Sequence, residues 1–160
     1  MFAVSPERKR SQRGMTLVEL IVAFTILAIL ASMAVPLARS RVRREREKEL
    51  RAALQEIHKA IDKYKDMADT GQLGPQKLGS EGYPDSLEIL VEGVKKAGQV
   101  DTKERFLRRI PKDPMTHSTD WGKRSNQDDP KSNGGGGQNV FDVFTKSTDK
   151  AADGTPYSEW

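Results

Sequence analysis

Glu19 is the only charged side chain in residues 15–38, a stretch that runs without charge from Leu20 to Ala38 as LIVAFTILAILASMAVPLA. A carboxylate in such surroundings costs on the order of a few kcal/mol unless it is paired or held near an interface. Its spacing suggests a partner. Glu19 lies four residues after Met15 and five after Gly14. A cut between Gly14 and Met15 would create an α-amino cation about one turn away, at the positive end of a helix. In a stack of such helices, Glu19 of one chain can meet the amine of a neighbour displaced by about one turn, ~5–6 Å. The carboxylate would then set register during assembly.

The other reactive residue types form no catalytic set. There is no Cys, which excludes a disulfide framework, thiolate metal sites and Cys nucleophiles. His58 and His117 are the only histidines. His58 flanks an apolar helix face and reads as a boundary residue. His117 sits in a loop from Met115 to Trp121 with no Cys nearby and no spaced His partner. No His/Ser/Asp arrangement for nucleophilic catalysis is visible, so the chain reads as a non-enzyme. Gly134 to Gly137 lack a following Lys-Ser/Thr and a helix, and read as a flexible hairpin loop rather than a phosphate cradle. Trp121 and Trp160 are isolated and read as packing residues.

Charge is distributed unevenly over the 160 residues, which carry 27 Lys+Arg and 23 Asp+Glu for a net +4. The net is +3 over 1–14, −1 over 15–38, +4 over 39–67, zero over 68–110 and −2 over 111–160. The basic excess therefore flanks the apolar block on both sides, a pattern unlike a nucleic-acid groove. A mean hydropathy of −0.67 excludes a multi-span membrane protein but leaves room for one span.

The elements that must position these residues follow from periodicity. Leu20 to Ala38 as a helix extends ~28 Å, close to the hydrocarbon thickness of a bilayer. The basic residues ahead of it favour a cytoplasmic N-terminus and an exported C-terminal bulk, although Arg39, Arg41, Arg43 and Arg44 behind it weaken that bias. A secretory signal peptide cut after Ser32-Met33-Ala34 and an ordinary signal anchor are alternative readings. The first would need an unusually long apolar region bearing Glu19. Leu50, Ala53, Leu54, Ile57, Ala60, Ile61, Tyr64 and Met67 repeat at i, i+3, i+4, i+7, which predicts an amphipathic helix stopping near Gly71. Its apolar stripe is too wide for a strict coiled-coil seam and predicts docking onto a domain. Tyr83-Pro84-Asp85-Ser86-Leu87 predicts a second helix, capped by Asp85, with Leu87, Leu90, Val91 and Val94 inward and Gly98 at its end. Strands are predicted over 106–110 and 140–145.

Arg13-Gly14-Met15-Thr16-Leu17-Val18-Glu19-Leu20 resembles the processing site of type IV prepilins and type II secretion prepseudopilins. The features shared are a short basic leader, Gly before the cut, Glu five residues into the mature chain and an apolar helix. The resemblance implies that a prepilin peptidase cuts between Gly14 and Met15 and N-methylates Met15. It implies too that Glu19 promotes subunit addition. Pro36 matches a proline common in such helices, where it would kink or loosen the preceding turn. Met15 stands where Phe is more usual.

A second set of residues resembles the major pseudopilins of type II secretion. It comprises Tyr83-Pro84 with Leu87-Glu88, Ile110-Pro111-Lys112-Asp113-Pro114, the Phe141-Asp142-Val143-Phe144 strand and Trp160. The two resemblances together span most of residues 13–160, and the lack of Cys separates the chain from disulfide-looped pilins. This resemblance implies calcium in an Asp- and Gly-rich C-terminal loop, here residues 147–155. Asp149 and Asp153 would supply carboxylates, and loop carbonyls the rest of six to eight oxygens. Lys150 stands where Gly is usual and the loop is shorter, so a solvated turn is the other reading.

The expected fold is α+β: a long N-terminal helix packed by its C-terminal half on a small antiparallel sheet. The expected organisation is a cleaved leader over 1–14, a transmembrane and filament-core helix over 15–38, its amphipathic continuation over 39–70 and a periplasmic globular domain over 71–160. The resemblance implies a single-pass inner-membrane protein that homopolymerises into a periplasmic pseudopilus of type II secretion. Its implied partners are the prepilin peptidase, an inner-membrane secretion platform and minor pseudopilins, with no nucleic acid. A type IV pilin of a surface filament (adhesion, motility or DNA uptake) and a monomeric membrane-anchored binding module are the alternatives. Loss of the leader would leave 146 residues near +1, so the basic balance reports topology and processing.

Overall fold

A computed structural model describes residues 14–98, 102–132 and 137–160, with the side chains of 33–38 outside the description. The chain forms two compact units, one reaching Val42 and the other Arg43–Trp160. The first helix, α1, covers Leu17–Asp69 and contributes to both.

In the first unit, residues 14–16 are non-helical and α1 begins at Leu17. Among the described residues no helix is long and apolar enough to cross a membrane. The described part of the apolar helix, 17–32, is ~24 Å long at 1.5 Å per residue. Residues 33–38, which complete the expected span, are those whose side chains lie outside the description.

In the second unit the predicted amphipathic face is the core. Leu50, Ala53, Leu54, Ile57, Ala60, Ile61 and Tyr64 are buried, and Met67 packs against them half-buried. Charged pairs at i, i+4 decorate the helix surface, Arg43–Glu47 at 3.3 Å and Lys65–Asp69 at 2.5 Å. The helix stops where the sequence predicts. Gly71 has φ +69°, Gln72 N–H donates to Met67 O (2.9 Å) and Gly71 N–H to Ala68 O (3.0 Å). These two bonds are the paired closure of a Schellman cap, which needs a residue tolerant of the left-handed region.

The second helix is shorter than predicted. α2 covers only Leu87–Glu92, and its N-cap is Ser86, with no side-chain cap bond. Asp85 instead faces Lys77 at 3.7 Å. The stop is Gly93, at φ +84°, not Gly98. Val94 consequently leaves the helix for a two-residue strand, β1 (Val94–Lys95), antiparallel to β2 (Lys103–Glu104). Glu104 ties β2 back to α1 through Lys63 at 2.7 Å and to Lys96 at 3.1 Å.

Residues 106–110 form no strand. The N–H groups of Phe106 and Leu107 both donate to Leu90 O, at 2.9 and 3.0 Å. The segment thus satisfies the open carbonyl end of α2, and buries Leu107 while Phe106 meets Tyr64 edge-on at 5.3 Å. The strand expected over 140–145 is β4 (Asp142–Phe144), paired antiparallel with β3 (Gly122–Arg124) in the register Gly122↔Phe144, Lys123↔Val143, Arg124↔Asp142. β3 was not foreseen. Gly122 lies under the Phe144 ring, where any side chain would strike it. Trp121, Val140 and Val143 are buried in the core cluster with the α1 face, and Trp121 Nε1 donates to Pro111 O at 2.9 Å. The result is the expected α+β class, with two small antiparallel sheets.

Candidate functional site: the start of the first helix

Thr16 initiates α1. Its Oγ1 accepts the N–H of Glu19 at 3.2 Å, and its carbonyl accepts the N–H of Leu20 at 3.1 Å. Thr16 is therefore the N-cap and Glu19 the N3 residue, the spacing of a capping box. The N-terminal half-charge of the helix favours a carboxylate at that position. Gly14 and Met15 precede the cap in exposed, non-helical backbone, so the peptide bond between them lies outside the helix. Among the described residues a Cβ on Gly14 would meet nothing within 4 Å.

The helix that follows has no inner face. Leu17, Val18, Ile21, Val22, Phe24, Ile26, Leu27, Ile29 and Leu30 are each more than half exposed, and they occupy every side of the cylinder. A helix apolar all round is stable only in apolar surroundings. Its polar side chains agree: Thr25 Oγ1 donates to Ile21 O (2.8 Å) and Ser32 Oγ to Ile29 O (2.7 Å), so both hydroxyls are satisfied within the helix. The backbone is helical through Pro36, whose side chain, and with it the expected kink, lies outside the described residues.

Two clusters in the second unit were not foreseen. Arg124 is 4% exposed. It donates through Nη1 to Asp142 Oδ2 (2.9 Å), through Nε to Ser132 O (2.8 Å) and through Nη2 to Ser158 O (2.8 Å). His58 Nε2 lies 2.8 Å from the other Asp142 oxygen, so His58 is more than a boundary residue. Burial pushes the Asp142 carboxyl up, but the hydrogen bonds from His58 and Arg124 outweigh it and hold the pKa below the ordinary value. The second cluster is Asp113, fully buried, whose carboxylate accepts Met115 N–H (2.8 Å), Thr116 Oγ1 (3.1 Å) and Thr145 Oγ1. His117, at φ +57°, closes that turn by donating its N–H to Asp113 O (2.8 Å). A lone Arg and lone Asp residues gave no signal that they would converge.

Asp149 and Asp153 lie in the C-terminal loop as expected. Asp153 Oδ1 already accepts Thr155 N–H at 2.9 Å, and this bond is the first cause of its lowered pKa. Asp149 takes part through its backbone, N–H to Ser147 Oγ (3.2 Å) and carbonyl from Tyr157 N–H (3.2 Å). Among the described residues no group of three or more His, Cys, Asp or Glu is arranged to hold a metal. The guanidinium of Arg43 donates to Lys150 O in this loop. Two carboxylates, one already engaged, beside a fixed cation do not fit an ion that takes six to eight oxygens.

Residues 9–35 match the family model of the prokaryotic N-terminal methylation motif. Two curated relatives match over most of their length. The type II secretion system core protein G of Klebsiella michiganensis is 30% identical over 113 residues, covering 67% of this chain and 70% of the relative. That of Pseudomonas aeruginosa is 30% identical over 112 residues, with the same coverage. No solved structure matches. The helix start, the all-round apolar helix and these likenesses agree, and the chain belongs to the family of type II secretion system core protein G.

Proposed function

We propose that the protein is a structural subunit of the pseudopilus of type II secretion. In this reading it is held in the bacterial inner membrane by residues 15–38, with its C-terminal domain in the periplasm. It is processed by prepilin peptidase between Gly14 and Met15, methylated at Met15 and polymerised through α1. The observation that carries this reading is the apolar surface exposed on all sides of α1 from Leu17 to Leu30. Lipid covers it before assembly and neighbouring copies cover it afterwards.

Cleavage turns Met15 into a chain terminus whose amine is largely cationic near neutral pH. Glu19 sits one turn on, at N3. Thr16 caps the helix through the Glu19 N–H, leaving the Glu19 carboxylate for a partner. Within an apolar filament core an unpaired carboxylate and an unpaired amine are each costly, and pairing them between adjacent copies relieves both. Pairing fixes the axial offset of one copy on the next, which is how one carboxylate can specify a filament.

Mass spectrometry of the protein extracted from membranes tests the processing step. The expected N-terminus is methylated Met15; an intact leader, or a terminus beyond Ala34, overturns it. Crosslinking through cysteines introduced at exposed positions such as Leu27 tests assembly. The expected result is a ladder of oligomers that Glu19→Ala abolishes. A ladder that persists in Glu19→Ala removes the register role, and its absence from the chain carrying two introduced cysteines with Glu19 intact would support a monomeric anchored module instead.

A further inference from the structure

The C-terminal segment folds back on itself within a few residues. Lys150 bridges Pro156 in antiparallel fashion. Ala151 N–H donates to Thr155 O (2.8 Å) and Gly154 N–H to Ala151 O (3.0 Å). Against this loop lies Arg43, from the first turn of α1 in the second unit. Its Nη2 donates to Lys150 O, and its Nε lies 3.1 Å from Tyr157 Oη and 3.3 Å from Glu47 Oε1. The Tyr157 hydroxyl in turn donates to Glu47 Oε1 at 2.7 Å. Tyr157 is 2% exposed and packs edge-on against Trp160 at 4.8 Å, while Arg51 covers the Trp160 ring at 4.0 Å. α1 thus delivers a permanent cation to a loop carbonyl and locks it with a phenol and a carboxylate.

We propose that Arg43 is a built-in cation that closes the 147–156 loop onto α1, so that the loop orders without a bound calcium ion. A guanidinium keeps its charge at all accessible pH and offers planar, directional donors, which suits it to hold one carbonyl while its other edge is fixed by Tyr157 and Glu47. Its field also reaches the Asp153 carboxylate. Calcium would bring two further charges next to Arg43 and Lys150, and would find Asp153 already bonded to Thr155. The loop's order is therefore a property of the chain and does not track calcium in its surroundings. This inference stands on the folded second unit and does not depend on filament assembly.

Trypsin reads the loop directly, because Lys150 is exposed. The full chain in detergent micelles is digested with either EGTA or millimolar calcium present, and cleavage at Lys150–Ala151 is followed by mass spectrometry. The expected result is equally slow cleavage in both. Arg43→Gln speeds it several-fold in both, and Arg43→Lys falls between, since an ammonium keeps the charge but loses the fork. Tyr157→Phe, which removes only the hydroxyl between Arg43 and Glu47, speeds it less than Arg43→Gln. Protection of this bond by calcium in the unaltered chain overturns the proposal and restores the calcium loop. An unchanged rate in Arg43→Gln also overturns it. So does unselective cleavage across the second unit in both Arg43→Gln and Tyr157→Phe, which would make the contact global rather than a loop clasp.

Discussion

Arg124 carries a full charge at 4% exposure, and three acceptors from three separate stretches of chain converge on it: Asp142, Ser132 and Ser158. Removing one partner of a buried ion pair is costlier than the pair was stabilising, because the other charge stays behind. Asp142→Asn is therefore expected to destabilise the protein by about 3 kcal/mol, lowering Tm by on the order of 10 °C in thermal melting followed by circular dichroism. His58→Ala, at a more exposed partner of the same carboxylate, costs less than about 1 kcal/mol. The pH dependence has a definite sign. The Asp142 pKa is lowered on folding, so its contribution is present above the ordinary value of 3.8 and is lost as pH falls through the lowered value. The acid-side drop in Tm should be shallower in Asp142→Asn; an identical acid limb in both proteins would refute the assignment. None of this was legible in the sequence. Arg124 and Asp142 are 18 residues apart and His58 a further 84 from Asp142, and only the β3–β4 register, Arg124↔Asp142, makes them neighbours. Glu19 stands out in the sequence because its oddity is local: a carboxylate beside an apolar run needs no tertiary structure to be noticed.

The secondary-structure elements divide by how far each can announce itself. Eight apolar residues at helical spacing from Leu50 to Met67 state the buried face of α1 in the sequence, and seven of them are buried. Ile57, at 0% exposure in that face, is expected to cost about 2–5 kcal/mol on Ile57→Ala, read as a lower Tm with the helical signal retained at low temperature. α2 is only six residues long, shorter than the window over which periodicity speaks, and the apolar pattern ran on through Val94 because Val94 faces inward from β1 as well. What decided its end was backbone. Gly93 sits at φ +84°, and a Cβ there would come within 2.8 Å of Glu104 O and 2.9 Å of Arg105 Cγ. Gly93→Ala should therefore cost more than ~1 kcal/mol, since φ 84° with ψ 154° is backbone that essentially only glycine adopts and the Cβ would clash besides. Gly98→Ala, at φ +75° with nothing within 4 Å, should show the backbone cost only. Equal losses in the two variants would mean that β2 does not pack where described. β3 reads Gly-Lys-Arg, with no alternation to detect; its place is fixed by Trp121 before it and by Phe144 across from it, which is tertiary information.

At the scale of the whole molecule, the buried hydrophobic residues run from Leu50 to Tyr157, all within the second unit. Among the described residues the first unit contributes no buried large apolar side chain, only exposed ones from Met15 to Leu30 and Val42. The two units thus ask for different surroundings, water for one and an apolar phase for the other, although one helix serves both. The charge pattern reports the same division, with arginines from Arg39 onward beginning where the apolar run ends. It follows that residues 39–160 should fold without the apolar helix, since among the described residues every buried hydrophobic side chain lies at Leu50 or beyond. Arg43 is retained, so the loop contact at Lys150 survives. The expected outcome is a soluble monomer by analytical ultracentrifugation, with one cooperative melt within a few degrees of the full chain in detergent. The full chain freed of detergent should self-associate, because contiguous apolar surface of this extent does not stay in water. If residues 39–160 proved unfolded, the first unit would be supplying packing to the core. If they formed the same oligomers as the full chain, the drive to assemble would lie in the globular domain and Glu19 would have no register to set.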